Sequence, residues 1–309
     1  MPQLNADTQG LLKRLWIYQS ERFPVIKTAI LLVVFSASSV TASAQLAGRS
    51  LPPFTAYLTA FILVFFFFWQ LRAADEYKDN ETDTRYRPER PIPRGLVSLK
   101  LIIILGFLSM IISALVAYIY LPSLLFLVFI VWCWMGLMTA EFFAPHALHA
   151  SPLLLLVTHM LVMPLIDMVL TACEWLPHGT SMPTGLWTFL LLSLANGCIF
   201  EFSRKIWAPV SEREGVETYS SAWGIPFSLA ALLGVLALAY AALLGLSLYH
   251  NLLFPFAIVG FLAALPFLYQ IWAFSRAPTP HRQKALDNSS GLWVISCYLL
   301  AALLPFLKG

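Results

Sequence analysis

Nine long apolar runs, almost free of charge, are the feature that most constrains how this chain can fold. The runs cover residues 25–47, 53–72, 98–119, 122–142, 151–172, 185–203, 222–245, 251–274 and 290–307. A helix needs about 20 mainly apolar residues to cross a bilayer. Only 11% of the 309 residues are charged, whereas about a quarter are charged in soluble domains. The sequence therefore predicts an all-α polytopic membrane protein with nine transmembrane helices. It excludes a soluble enzyme, a disordered chain and a nucleic-acid-binding protein.

The chain shows no linker and no low-complexity tract, so we expect residues 1–309 to form a single domain. Residues 11–23 mix basic and large apolar side chains, which predicts a short interfacial helix. Pro164 and Pro266 lie inside predicted spans and should kink them. Pro226 lies near the start of a span, where proline is tolerated.

The basic residues lie almost entirely on one side of the predicted spans. The N-terminal segment and the loops after spans two, six and eight hold 17 of the 19 lysines and arginines, and only Arg49 and Lys308 fall on the other side. Basic loops stay in the cytosol. We therefore expect a cytosolic N-terminus, an external C-terminus and an active site facing the cytosol, in a bacterial inner membrane.

Three aspartates follow the second span at every fourth position. Asp75, Asp79 and Asp83 stand at i, i+4 and i+8, and on a helix this spacing places three carboxylates along one face. Stacked like charges repel each other, so a bound cation would stabilise them. Mg²⁺ suits this role because it binds a few carboxylates together with substrate phosphates. The pattern predicts a magnesium site.

A rigid basic segment follows the aspartates. Residues 85–95 contain four arginines, whose guanidinium groups match phosphate oxygens, and three prolines, which stiffen the backbone. The acidic and basic parts together predict a metal–diphosphate site at a membrane surface. Six basic residues are candidates to bind the diphosphate of the substrate: Lys78, Arg87, Arg90, Arg94, Arg204 and Lys205.

Residues 75–95 resemble the first motif of the UbiA superfamily of intramembrane prenyltransferases. That motif reads N-D-x-x-D-x-x-x-D and is followed by R-P-x-R-P-x-P-x-G. Asp75 stands at the asparagine position, Glu76 at the next acid, and Asp79 and Asp83 at the metal-binding aspartates. The resemblance implies a UbiA-like bundle of nine helices, an isoprenyl diphosphate substrate and Mg²⁺ as cofactor.

The family's second aspartate motif, after the sixth span, is altered here. Glu201 begins the segment and Glu212 follows later, while Arg204 and Lys205 stand where an aspartate is expected. In one hypothesis Glu201 and Glu212 hold a second magnesium while Arg204 and Lys205 bind diphosphate directly. In the other, this half of the site is degenerate and only supports a polar loop.

Three polar residues within the predicted spans are candidates for the substrate pocket. His159 and Asp167 share one face of span five, and Asn196 lies on span six, little more than one turn before Glu201. Ionisable groups inside a membrane are costly and often functional. We expect these residues either to line the substrate pocket or to hydrogen-bond between helices.

Three functions fit the pattern. The leading one is a magnesium-dependent prenyltransferase that ionises an allylic isoprenyl diphosphate and transfers the prenyl group to a lipophilic acceptor. The alternative is a terpene cyclase of the UbiA type, in which the allylic cation cyclises without an acceptor. A cation transporter is the third, but its acids would lie near the bilayer midplane, not at the ends of spans two and six.

The magnesium assignment makes a direct prediction. Asp79→Ala or Asp83→Ala should abolish turnover without preventing folding or membrane insertion, because each removes a carboxylate that holds the metal. Turnover of a purified variant, compared with its yield in the membrane fraction, measures this. Near-normal activity in both variants would contradict the assignment.

Overall fold

The computed structural model describes residues 10–308 and contains only helices and their connections within that range. The helices, numbered in chain order, are α1 Leu11–Arg22, α2 Val25–Leu46, α3 Phe54–Lys78, α4 Asn80–Tyr86, α5 Leu99–Tyr120, α6 Leu124–Thr139, α7 Pro145–Ala150, α8 Pro152–Met160, α9 Val162–Trp175, α10 Leu186–Arg204, α11 Tyr219–His250, α12 Leu253–Arg276 and α13 Pro280–Leu303. The predicted all-α class is confirmed.

Eight segments of the described chain are long and apolar enough to span a membrane, with α8 and α9 forming one of them. The ninth predicted span corresponds to α6, which is apolar but has only 16 residues. The protein is therefore an integral membrane protein. Length and composition support eight of the nine predicted spans, and α6 falls short because it ends at Thr139.

Two helices extend well beyond their predicted limits. α3 continues past residue 72 to Lys78. α13 starts at Pro280 rather than at 290, because Thr279 caps it through a hydrogen bond from the Arg282 backbone N–H and proline fits its first turn. Apolar periodicity could not reveal either extension, since both are polar.

Prolines affect the helices unequally. The fifth span is broken at Leu161, three residues before Pro164, where proline cannot continue the helical ladder. α12 continues through Pro266. Within α11 the helix is interrupted at Gly224, which has φ 74° and ψ 157°, so Pro226 lies in the first turn after the kink, near a helix start as expected. Only glycine adopts this backbone geometry readily, so the change of direction depends on Gly224.

The helices pack so that their charged residues collect at one end of the bundle. There α3 and α10 finish, and the connections after them form the polar cap, defined here as residues 79–98 and 205–218. α1 lies beside this end and joins α3 and α5 through a small core of Tyr18, Ala73, Val97 and Ile102. The helix predicted at residues 11–23 is therefore present as α1 and also supports the polar cap, and its interfacial position stays a prediction.

A buried ion pair closes the opposite end. The Glu174 carboxylate, fully buried on α9, accepts hydrogen bonds from Ser43 Oγ at 2.7 Å, Arg49 Nε at 2.6 Å and Arg49 Nη2 at 3.0 Å. The hydrogen bond to Glu174 raises the pKa of Arg49. The pair joins the end of α2 to α9.

Breaking this pair should destabilise the bundle. Arg49→Gln leaves the Glu174 carboxylate buried without its counter-charge, so we expect a loss of about 3 kcal/mol. Arg213→Gln is the control, because Arg213 and its partner Glu89 are largely exposed and such pairs contribute at most about 1 kcal/mol. Thermal unfolding in detergent compares the two, and equal losses would contradict the proposed role of Arg49.

Candidate active site

The three aspartates lie along one face because the helical backbone continues beyond α3. The Asp79 amide donates to the Asp75 carbonyl at 2.9 Å, and the Asp83 amide donates to the Asp79 carbonyl at 2.8 Å. α4 therefore extends the direction of α3 after a single non-helical residue. The three aspartates therefore lie along one face, as their spacing in the sequence predicts.

The three carboxylates have different surroundings. Asp83 is buried and pairs with Arg90 and with Arg87, the latter at 3.3 Å. Asp75 is more exposed and has Arg72 Nη1 at 3.6 Å. The Asp79 carboxylate has no hydrogen bond or ion pair among the described residues, although Arg87 lies within its electrostatic range. Asp79 is thus the carboxylate most available to a cation.

Arg87 and Arg90 share the Asp83 carboxylate. Desolvation and the nearby Arg90 charge lower the pKa of Arg87, while Asp83 partly offsets this effect. An arginine remains charged after such a shift, because its ordinary pKa lies far above neutral pH. The basic segment is therefore tied to the acidic stripe and carries excess positive charge.

Two other predicted diphosphate ligands are engaged away from the stripe. Arg94 pairs with Glu21 of α1, at 2.8 Å from Nη2 to Oε1. Lys78 Nζ lies 2.9 Å from Glu141 Oε1, in the turn after α6. Both contacts brace neighbouring elements, so a role for Arg94 and Lys78 in binding diphosphate stays a prediction.

A second charged group forms where α10 ends. Glu201 accepts from Arg204 Nη2 at 2.5 Å and pairs with Lys205 Nζ at 2.9 Å. Residues three and four apart lie on the same side of a helix, which allows one carboxylate to contact both cations. The cations also suit the C-terminal end of α10, where the helix dipole is negative.

The structure brings the two motifs together. Asp75 lies within electrostatic range of Arg204 and Glu201, and Arg204 is also in range of Asp287 on α13. Arg72 experiences the charge of Arg204 as well. We call these five residues the charge cluster: Arg72, Asp75, Glu201, Arg204 and Asp287.

Sequence reasoning missed Arg72 and Asp287. A signal for Arg72 was present, because it stands three residues before Asp75 and seven before Asp79, spacings that share a helix face. Its Nε is buried without a hydrogen-bond partner among the described residues. Asp287 was assigned to a loop because the last span was expected to begin at residue 290, whereas it lies within α13.

Glu212 is held elsewhere. Its carboxylate accepts hydrogen bonds from Thr218 Oγ1 at 2.8 and 2.9 Å and from Ser220 Oγ at 2.6 Å. Thr218 is the N-cap of α11. Glu212 therefore anchors the second part of the polar cap to the start of α11, where a carboxylate is favourable.

The two parts of the polar cap pack against each other. Gly215 has φ +73°, and a Cβ added there would lie 2.6 Å from the Tyr86 ring. Arg213 pairs with Glu89 at 3.4 Å across the same junction. Close packing at Gly215 thus fixes the basic segment relative to the end of α10.

The polar residues of the spans fall into two groups. Asp167 accepts from Ser39 Oγ and from Tyr298 Oη, each at 2.6 Å, and so joins α2, α9 and α13. His159 Nδ1 lies 2.9 Å from the Leu155 carbonyl. Both amide atoms of Asn196, which is 2% exposed, lack a hydrogen-bond partner within the described chain. Of the three, Asn196 has the greatest unused hydrogen-bonding capacity.

Comparison with known proteins identifies the family. The model of the UbiA prenyltransferase family matches residues 36–295. The chain belongs to this family. This match confirms the resemblance that residues 75–95 show to the family, whose members are prenyltransferases. No curated protein matches the sequence significantly.

Two solved structures share the UbiA-like fold. One comes from a study of digeranylgeranylglyceryl phosphate synthase in membranes. It is 15% identical to this chain, with a TM-score of 0.60, and the match covers 92% of this chain and 99% of the other. The other is an apo UbiA homolog from Aeropyrum pernix K1; it is 17% identical, with a TM-score of 0.65, over 87% of this chain and 96% of its own. At these identities the likeness shows the fold alone.

The residues of α3 fit a magnesium ion better than those of α10. Among the residues that the structure describes, no group of three or more His, Cys, Asp or Glu residues is arranged to hold a metal. Magnesium, however, needs only one or two carboxylates when substrate phosphates supply further oxygens. Asp79 has no protein partner and Asp75 has only a long contact to Arg72, so α3 fits this donor set. Glu201 and Glu212 are already engaged by protein groups.

Packing at Gly215 yields a prediction for this UbiA family member. Gly215→Ala should separate the two parts of the polar cap, because its Cβ would overlap the Tyr86 ring. Local overpacking costs about 1–3 kcal/mol and makes local opening of the polar cap more frequent. We therefore expect trypsin to cleave the polar cap at least about tenfold faster.

Gly179→Ala is the matched control. Gly179 also has a positive φ, +63°, but a Cβ there would meet nothing within 4 Å. Both variants carry the same backbone cost, so any difference reports the overlap with Tyr86. Equal cleavage rates would contradict the packing argument.

Proposed function

We propose that this protein is a magnesium-dependent prenyltransferase, a single domain over residues 1–309, that ionises an allylic isoprenyl diphosphate and transfers the prenyl group to a lipophilic acceptor. One observation carries the proposal: the unpartnered Asp79 carboxylate stands beside the charge cluster where an apolar bundle ends. Carboxylates for a metal and fixed cations for a diphosphate thus meet at the edge of a hydrophobic interior.

The location of the site fits an amphiphilic substrate. The charged diphosphate would stay in the polar cap, whereas the isoprenoid chain would lie among apolar helices. The basic residues gathered at this end support a cytosolic polar cap and a cytosolic N-terminus, and we propose a bacterial inner membrane as the location. Asn196, buried on α10, is placed to bind a polar group of the acceptor or of the chain.

The reaction begins when the bond between C1 and the diphosphate oxygen breaks. The electron pair leaves with the diphosphate, and an allylic cation remains. Arg204, Lys205 and Arg72 would stabilise the charge that develops on the leaving group, since fixed cations aimed at developing charge lower the barrier. Asp75 and Asp79 would hold the magnesium ion, which neutralises diphosphate oxygens when bound.

The second step completes the transfer. A nucleophilic atom of the acceptor donates an electron pair to C1 of the cation and loses a proton. Electrons and atoms balance, with prenylated acceptor, diphosphate and one proton as products. In a cyclase, a double bond of the same chain would supply the electron pair, and no acceptor would be needed.

The test uses protein reconstituted in liposomes. Geranylgeranyl diphosphate and Mg²⁺ are supplied with or without a bacterial lipid extract, and diphosphate release and products are measured. We expect release and a prenylated product that depends on the extract, with a loss of at least about 100-fold in Asp79→Asn. Glu81→Gln is the control, because Glu81 is exposed and lies off the aspartate face.

Two results would overturn the proposal. A cyclic hydrocarbon or terpene alcohol formed without the extract would favour the cyclase. Absence of diphosphate release with prenyl diphosphates of several chain lengths would reject an enzyme of this class.

A further inference from the structure

The Glu201 carboxylate at the end of α10 is paired with cations of its own helical turn, whereas the Asp79 carboxylate at the end of α3 has no ion pair. Glu201 has one oxygen engaged by Arg204 and the other by Lys205, at 2.5 and 2.9 Å, and its side chain is only 13% exposed. A metal ion would have to displace two cations that belong to the same helical turn. This carboxylate is therefore poorly disposed to bind metal.

Glu212 does not complete a metal site with Glu201. Its two oxygens accept three hydrogen bonds from Thr218 and Ser220, all between 2.6 and 2.9 Å. These bonds hold the loop to the first turn of α11 and would be lost if Glu212 turned toward a metal. Neither of the two glutamates that the sequence assigned to a second metal is therefore free to bind one.

What α10 does offer is a net positive charge. On this helix one glutamate and two cations leave an excess of one positive charge, on adjacent residues that each lie about one turn from Glu201. Asp75 and Asp287 lie within electrostatic range of Arg204 from neighbouring helices. Two long basic side chains without a shared carboxylate would repel each other and lose more conformational entropy on binding an anion. Glu201 restrains the side chains of Arg204 and Lys205 before the anion binds.

We propose, resting on the proposed function, that the site is asymmetric: metal binds only at Asp75 and Asp79, where α3 ends, and the end of α10 binds the diphosphate directly through Arg204 and Lys205. Asp83, which the sequence spacing also assigned to the metal, is instead occupied by Arg87 and Arg90. Glu201 is then a positioning residue that orients the two cations, and Glu212 is an anchor of the polar cap. Two consequences follow. The chain binds one divalent metal with diphosphate, and α10 retains affinity for diphosphate without metal.

The first experiment counts metal. Purified protein in detergent is titrated with Mn²⁺ in the presence of inorganic pyrophosphate, and bound Mn²⁺ is measured by electron paramagnetic resonance. We expect one Mn²⁺ per chain in the wild type and in Glu201→Gln, and none in Asp79→Asn. Two Mn²⁺ in the wild type and one in Glu201→Gln would overturn the inference.

The second experiment measures pyrophosphate binding in EDTA by calorimetry. Lys205→Gln should weaken binding at least about tenfold, since a hydrogen bond to a charged group contributes roughly 1.5–3 kcal/mol. Asp79→Asn should not weaken it. Lys13→Gln is the matched control, because Lys13 is exposed on α1 and has no ion pair within the described residues. Wild-type affinity in Lys205→Gln would contradict direct binding by α10.

The design separates this inference from the proposed function. If pyrophosphate fails to bind both with and without metal, the proposed function itself fails. If it binds with two metals, only the asymmetry fails. Should Glu201→Gln not fold, as judged by gel filtration, Glu201→Asp retains the charge, and the wild-type metal count with Asp79→Asn still decides the result.

Discussion

Removing a charge from water is costly, and this constraint governs where every acidic side chain of the bundle lies. Four acids are buried within residues 10–308, and each has partners. Glu76 pairs with Arg22, Asp83 with two arginines and Glu174 with Arg49. Asp167 lies deeper and is solvated by two hydroxyl groups. Full ion pairs are thus confined to helix ends, where one partner reaches water.

The candidate site departs from this pattern. Asp79 has no partner, and neither do the Nε of Arg72 and the amide of Asn196. The four buried acids of the described chain are all paired, although other buried groups, such as Arg14 Nε and Trp293 Nε1, also lack a hydrogen-bond partner. Unused polar capacity at the rim of an apolar interior is typical of a binding site, because a ligand supplies the missing partners.

α1 has a larger role than a membrane anchor. Arg22 contacts Glu76 at 2.5 Å, and Glu21 contacts Arg94 at 2.8 Å. Adjacent residues of one helix thereby hold α3 between Asp75 and Asp79 and hold the basic segment near its end. Together with the packing of Gly215 on Tyr86, these contacts fix both motifs of the polar cap. The cap can therefore be rigid although it lies outside the hydrophobic core.

The sequence alone determined the class of fold, eight of the nine spans by length, and the family. The length of an apolar run and the spacing of the aspartates are local properties. Regular helix geometry alone converts them into a membrane span and a shared helix face. Only the tertiary structure decided which charges meet. An ion pair forms only where a cation lies within about 4 Å of a carboxylate. Such contacts join Asp83 to Arg90 and Glu174 to Arg49. They also occupy Glu201, whereas Asp79 has none. Partners such as Glu174 and Arg49 are 125 residues apart, so helix packing, not spacing along the chain, sets that distance.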